Sequence, residues 1–397
     1  MFWNLGTVIA TSLYADKLQS KWAEIFITLP SFHYGSWTMI SWVEGWTMMR
    51  YRANIRVFTE SLSQFRHRDS RSSVLNLRRI IMYRSILVPL DGSTFAEHAL
   101  PIARSIAHRA GATLQLVLAH VPISARYVES RAIFDETLDT QLKEQERIYL
   151  DGVIRRLTAG SDIPITSALL DESDSVAKTL NDHAEATGVD LIVMATHGRG
   201  TLARLWIGSV ADRLVRYAST PILLVRPQEA EPDLTREPIF QHMIIPLDGS
   251  GLSERILPHA VAFGELMQAD YTLLRVIEPV IPATYPRTEY AVRIEQQLLE
   301  QLQTEVQTYL DGIAERLRAQ IGARGRTPLQ VQTKVVIHRH PAIAILEEAD
   351  TQIMGLIAME THGRGGLTRW LIGSVADKVL RRASIPVLLH RSNGESL

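Results

Sequence analysis

Residues 190–225 read DLIVMATHGRGTLARLWIGSVADRLVRYASTPILLV, and residues 355–390 read GLIAMETHGRGGLTRWLIGSVADKVLRRASIPVLLH. Each stretch has the same four parts. A short apolar run (LIVMA, 191–195) opens into a glycine-bearing loop. A run with helical spacing starts at Gly-Ser, and a second apolar run (ILLV, 222–225) follows. Apolar runs of strand length that alternate with helical periods point to β-α-β order. Strands apolar on both faces need cover on both sides, as in a parallel sheet between two helix layers. The expected fold class is therefore α/β, built from doubly wound parallel sheets.

The duplication extends outward from these stretches. MYRSILVPLDGSTFAEHALPIA (82–103) matches QHMIIPLDGSGLSERILPHAVA (241–262). A period of roughly 160 residues is the size of a domain, so this is a domain written twice and not a solenoid. The copies are read as 82–228 and 241–393. The polar, Pro-flanked segment 229–240 joins them as a linker. In the first copy, strands are expected at Ser85–Leu90, Thr113–Val121, Ile163–Leu170, Leu191–Ala195 and Ile222–Val225. Helices are expected at Phe95–Ala110, Glu136–Leu157, Ser175–Ala186 and Ser209–Tyr217. Each copy is long enough to bury a core of its own.

Residues 1–81 stand apart. They hold five of the seven tryptophans, and their second half is rich in arginine and poor in acid. Three readings stay open: an accessory segment, a targeting peptide without the apolar core of a secretory signal, or a translation start misplaced ahead of Met82. The last predicts little contact with the rest of the chain.

The 397 residues are 46% hydrophobic and 21% charged with a formal net charge of −1, a globular balance that does not point to nucleic acid or an anionic membrane. There is no cysteine, which excludes disulfides, thiolate metal sites and a cysteine nucleophile. That absence fits a reducing cytoplasm. No apolar run reaches the roughly 18–20 residues of a membrane span. His338-Arg339-His340 would put two imidazoles on one face of a strand, as a metal pair or as a solvated strand end.

The loop after LIVMA is the chemical feature. It runs Thr196-His197-Gly198-Arg199-Gly200, and nine residues separate Gly198 from Gly208-Ser209. The same count separates Gly363 from Gly373-Ser374. Glycines let backbone turn sharply and approach a ligand. Free N–H groups and the dipole at a helix start favour a phosphate. Ser209-Val-Ala-Asp212 also has the form of a capping box, as does Ser374-Val-Ala-Asp377. The alternative is a tight turn with a capped helix. A Walker loop is excluded, since no Gly-Lys pair occurs. A dinucleotide fingerprint would follow the first strand, and this loop follows the fourth. Asp91 and Asp248 end the first strand of each copy. In a sheet of order 3-2-1-4-5, strands 1 and 4 are neighbours at the switch point. That would bring Asp91 beside the loop, where a carboxylate accepts from ribose hydroxyls. Turn and N-cap chemistry is the competing reading of Asp91-Gly92-Ser93.

With SILVPLDGS, the strand-ending Ala-His-Val at 119–121 and DLIVMATHGRG…GSVADRLVRYASTPILLVR in hand, the chain resembles a tandem universal stress protein. The resemblance covers nearly all of both copies and none of residues 1–81. It implies two five-stranded parallel sheets of order 3-2-1-4-5, Rossmann-like and similar to the adenine nucleotide alpha-hydrolase fold, with two helices on each face. It also implies a Gly-x2-Gly-x9-Gly-Ser/Thr loop for ATP. Carried over by position, Asp91 would contact ribose and adenosine, and the Val121 backbone would meet adenine. Gly198, Gly208 and Ser209 would hold phosphates, with Pro89, Ala195, His197 and Arg199 around them. The second copy offers Asp248, Val276, Gly363, Gly373 and Ser374. The motif's first glycine is Ala195 in one copy and Glu360 in the other, where a carboxylate repels phosphate. His120 becomes Arg275, and Asp190 becomes Gly355. The first copy is thus the better candidate.

His197 and His362 lie in the loops as potential bases, but a turn histidine more often binds a carbonyl or a phosphate. No catalytic residue and no protein metal site is assigned, and ATP brings its own Mg2+. The expected function is adenine-nucleotide binding as a sensor or switch. A weak ATPase or nucleotidyl transferase, and a nucleotide-free scaffold, remain alternatives. The last strands, Ile222–Val225 and Pro386–Leu389, would be exposed edges that invite pairing. In this family such strands mediate dimers, so the copies are expected to pair within the chain. A homodimer of whole chains is a further expectation.

Overall fold

The first strand, β1 (Ser85–Leu90), is buried along almost its whole length because it lies between two others. It pairs in parallel with β2 (Thr113–His120) on one side and β4 (Leu191–Ala195) on the other. β3 (Ile165–Asp171) flanks β2, and β5 (Ile222–Val225) flanks β4, so the first copy reads 3-2-1-4-5. The second copy repeats this with β6 (His242–Pro246), β7 (Asp270–Ile277), β8 (Val331–Ile337), β9 (Gly355–Glu360) and β10 (Val387–His390). This computed structural model describes residues 83–122, 136–159, 162–172, 174–196, 207–279, 289–322, 329–361 and 372–392. All lie in the unit Val74–Leu397. The readings of residues 1–81 fall outside the described residues.

The helices of the first copy are α1 (Thr94–Glu97), α2 (Leu100–Ala110), α3 (Glu136–Thr158), α4 (Val176–Ala186) and α5 (Ser209–Tyr217). The second copy has a short 3-10 turn (Ser253–Ile256), then α6 (Leu257–Met267), α7 (Glu289–Gly322), α8 (Pro341–Asp350) and α9 (Ser374–Arg382). The single helix expected over Phe95–Ala110 is in fact two. Pro101 has no N–H and its ring would strike the carbonyl four residues back, so the chain breaks at His98-Ala99 and restarts with Pro101 in its first turn. Pro258 does the same in the second copy.

Strand alternation divides the core. Ile86, Val88 and Leu90 face the α2 and α3 side, with Ile106, Val153 and Leu157. Leu87, Ile192 and Met194 face the α4 and α5 side, with Leu180 and Leu214. Both clusters run on into the second copy. The reason is the junction: β5 and β10 lie antiparallel, with Leu223 opposite Leu388, and the sheet is ten strands wide. Its edges are β3 and β8. Around the junction, α2 packs near α6, and the edge-on pair Tyr83–Phe263 sits 6.2 Å apart. Segment 229–240 lies against α2. Leu234 and Phe240 are buried, Ser105 donates to the Pro238 carbonyl at 2.7 Å, and Arg104 donates to the Leu234 carbonyl. Among the described residues no helix is long and apolar enough to cross a membrane.

Candidate functional site

The crossover direction reverses between β1 and β4, which is where a doubly wound sheet opens a crevice at its carboxyl ends. The two strands are paired only at Ile86–Leu191 and Leu87–Ile192. Pairing stops two residues before Pro89, which has no N–H to give to a ladder. The second copy repeats the device: β6 and β9 pair over His242–Ile244, and Pro246 follows. Proline at this position thus parts the central strands just below the site, a role that the sequence reading left unspecified for Pro89.

At the end of β1 the Asp91 carboxylate accepts from the Ser93 backbone N–H (3.0 Å) and hydroxyl (2.6 Å). Ser93 caps α1, accepting from the Ala96 N–H. Gly92 between them has φ +79°, a conformation that favours glycine. Asp248, Gly249 (φ +78°) and Ser250 form the same turn, with the Ser250 N–H donating to Asp248 at 2.9 Å. The turn chemistry that competed for Asp91 is therefore present, and it fixes one face of the carboxylate toward its own loop. Asp91 and Asp248 remain half-exposed.

Behind each turn sits an ion pair that sequence reading missed. Buried Glu97 takes two hydrogen bonds from Arg156 at 2.8 and 2.9 Å. Glu254 takes one from Arg316 at 3.2 Å and one from the Tyr309 hydroxyl at 3.0 Å. Burial, then the Glu254 charge, raises Tyr309 well above the ordinary phenol range, and burial with Glu97 does the same to Tyr149. The signal was available: Glu, Tyr and Arg recur at equivalent positions of both copies. These pairs brace the long helices α3 and α7 against the element that follows each aspartate.

The loop mouth is closed by backbone. Ala195 ends β4, the Thr196 N–H donates to the Val225 carbonyl (2.8 Å), and the Gly208 N–H donates to the Thr196 carbonyl (2.7 Å). Thr361, His390 and Gly373 repeat these bonds at 3.0 and 2.7 Å. The loop's two ends are therefore tied at the crevice. His197, Gly198, Arg199 and Gly363 lie outside the described residues. The capping-box reading is overturned. Gly208 and Gly373 occupy the N-cap, no side chain caps either helix, and Ser209 and Ser374 are the first helical residues. The frame is one residue earlier than expected because the Gly208 carbonyl accepts the first helical bond, from Asp212. Asp212 instead pairs with Arg216 at 2.8 Å. Ser209 and Ser374 stand exposed at the helix starts, and Gly208 and Gly373 are half-exposed.

Val121 follows β2 directly and is half-exposed, whereas Val276 is still inside β7, in register with Val336. His120, just before Val121, is fully buried between two carboxylates, Asp139 at 2.9 Å and Glu146 at 2.7 Å. Lys143 bridges Asp139 and Asp171 at 3.3 and 2.7 Å. The hydrogen bond from His120, reinforced by Lys143, holds the Asp139 carboxyl below the usual carboxylate range. Arg275 replaces His120 and donates to the Leu247 carbonyl at 3.1 Å. Asp190 accepts from the Arg84 and Ser85 N–H groups at 2.8 and 3.1 Å, a clamp on β1 that Gly355 cannot make. Glu360 does not project openly at the loop: it is 5% exposed and its carboxylate bonds to His390 Nδ1. His338 accepts the His340 N–H at 3.0 Å, so that ring closes its own turn.

The family model of the universal stress protein family matches residues 82–226 and again 240–391. A universal stress protein of Mycolicibacterium smegmatis is 29% identical over 319 residues, covering 77% of this chain and 96% of the relative. One of Mycobacterium tuberculosis is 32% identical over 208 residues, covering 51% of this chain and 62% of its own. The crystal structure of a universal stress protein from Archaeoglobus fulgidus superposes with a TM-score of 0.53 at 15% identity, covering 78% of this chain and 98% of that one.

Proposed function

The chain belongs to the universal stress protein family, with its domain present twice, and on that premise we propose that it binds an adenine nucleotide as a sensor or switch. The observation that carries this reading is the convergence at the first copy's switch point. A half-exposed aspartate turn ends one central strand. A backbone-tied loop and an uncapped helix start end its neighbour, and Pro89 parts the two. In this reading the Asp91 carboxylate meets ribose, the Val121 backbone meets adenine, and phosphates lie against Gly198, Gly208 and Ser209 at the helix start. His197 and Arg199 neutralise phosphate charge, and ATP brings its own Mg2+. The second copy would use Asp248, Val276, Gly363, Gly373 and Ser374, less readily. Domains 82–228 and 241–393 act as a pseudo-two-fold pair through β5 and β10, in the cytoplasm, and two chains associate further.

Calorimetric titration with ATP tests the reading. The wild-type chain should bind, and Gly198→Val should lose the first-copy site with its circular dichroism spectrum intact. Unchanged affinity in Gly198→Val would sink the phosphate assignment. One observation favours a nucleotide-free scaffold instead: Ser93 already occupies one oxygen of Asp91. That alternative predicts no heat of binding at any ATP concentration.

A further inference from the structure

Three buried aliphatic residues of the first copy have titratable counterparts in the second. Alignment on the paired aspartates and on the paired loops matches Ile102 with His259, Ala195 with Glu360 and Val225 with His390. Ile102, Ala195 and Val225 are each less than a tenth exposed, so the first copy closes this end of its sheet with hydrocarbon. In the second copy the three replacements come from α6, β9 and β10, and the other two both contact His390. Glu360 and His390 are register partners across adjacent strands, and His390 Nδ1 bonds to Glu360 Oε1. The His259 and His390 rings stack with centroids 4.3 Å apart and planes 28° apart. A lone carboxylate at a site 5% exposed is strongly unfavourable, so Glu360 is tolerable there because His390 compensates it.

The location gives the triad its consequence. Glu360 directly precedes Thr361, whose carbonyl accepts the Gly373 N–H at the start of α9. That is the second copy's equivalent of the phosphate end. We propose that Glu360, His390 and His259 make the second copy a conditional phosphate site: it accepts a phosphate-bearing nucleotide while the Glu360–His390 pair holds one shared proton, and rejects it once that proton is lost. With one proton the pair is neutral overall. Losing it adds one negative charge beside the helix start while the Arg255 charge is unchanged, and so weakens phosphate binding. The groups acting on Glu360 are His390 from β10, the Ser392 backbone N–H and Arg255 from the 3-10 turn before α6, with His259 from α6 stacked behind His390. Burial pushes the Glu360 carboxyl up, against the opposing pull of His390, which favours keeping the proton in the pair. Burial and the His390 charge push His259 down to about 3, so it stays neutral and supplies no compensating charge. The first copy has no group at these positions that could respond in this way.

This inference rests on the nucleotide reading above, and its test separates the two. In the Gly198→Val background, ATP is titrated at about pH 6 and about pH 8.5. The second site should bind at the lower pH and at least about tenfold more weakly at the higher. A His259→Ile, Glu360→Ala, His390→Val triple variant in the same background carries the first copy's residues, and should bind equally at both pH values apart from the titration of ATP itself. Absence of second-site binding at both pH values, or the same pH loss in the triple variant, overturns the proposal. If the chain with an intact first loop binds no ATP at all, the nucleotide reading has failed, and the shared proton is then read without ligand. The side-chain carboxyl carbon-13 shift of Glu360 should move between those two pH values. Shifts that stay constant overturn the shared-proton claim.

Discussion

Two glycines on equivalent faces of the problem predict opposite outcomes. A Cβ on Gly264 in α6 would lie 2.3–2.6 Å from three atoms of the Tyr271 phenol, a ring that is fully buried. Gly264→Ala should therefore destabilise by about 1–3 kcal/mol, because overpacking against a trapped ring outweighs the helix-propensity gain. Gly312 in α7 is exposed and would meet nothing within 4 Å, so Gly312→Ala should stabilise by about 0.5–1 kcal/mol. Urea denaturation of both variants checks the signs. The His120 cluster adds a pH prediction. Asp139 has a folded-state pKa below its unfolded value, so its stabilisation is present above the ordinary carboxylate range and is lost as pH falls through the lowered value. Melting temperature should thus fall less steeply on acidification in Asp139→Asn than in the wild type, and equal slopes would contradict the assignment. At this scale the sequence was partly legible. Asp91, Gly92 and Ser93 announce a turn by type alone. The Glu360–His390 partnership required knowing that β9 and β10 are adjacent.

At the scale of elements, strands were the most legible, because both of their faces are buried and the apolar runs end where burial ends. Ser85–Leu90, Leu191–Ala195 and Ile222–Val225 match the expected runs. Helix ends were harder: Pro101 split one helix, and Gly208 rather than Ser209 took the cap. Neither is a matter of hydrophobic period, and both are set by single backbone groups. The junction elements give a contrast that can be measured. Arg381 lies 3.9 Å from Asp212 across the copies and 2.8 Å from Asp377 within its own helix, on a part-exposed surface. Such pairs contribute little, so Arg381→Gln should change stability by less than about 1 kcal/mol. Leu388→Pro removes a ladder N–H from β10, opposite Leu223, and buries a ring that cannot pair, so a loss of about 3 kcal/mol or more is expected by the same denaturation assay.

For the whole molecule, two core clusters that each span both copies, a ten-stranded sheet and a docked 229–240 segment leave no plane along which one copy could melt alone. Calorimetry should give one cooperative transition for the described unit, and two well-separated peaks would contradict that coupling. The copies are nonetheless chemically unequal. The first has an apolar loop mouth ending at Ala195, and the second has a titratable one built on Glu360 and His390. The claim beneath all of this is that the first copy binds an adenine nucleotide. Native mass spectrometry of the full-length chain with added ATP tests it most directly. A mass increase of at least one ATP per chain is expected for the wild type, with loss of the first-copy ligand in Gly198→Val. A wild-type spectrum with no bound nucleotide at any ATP concentration would contradict it.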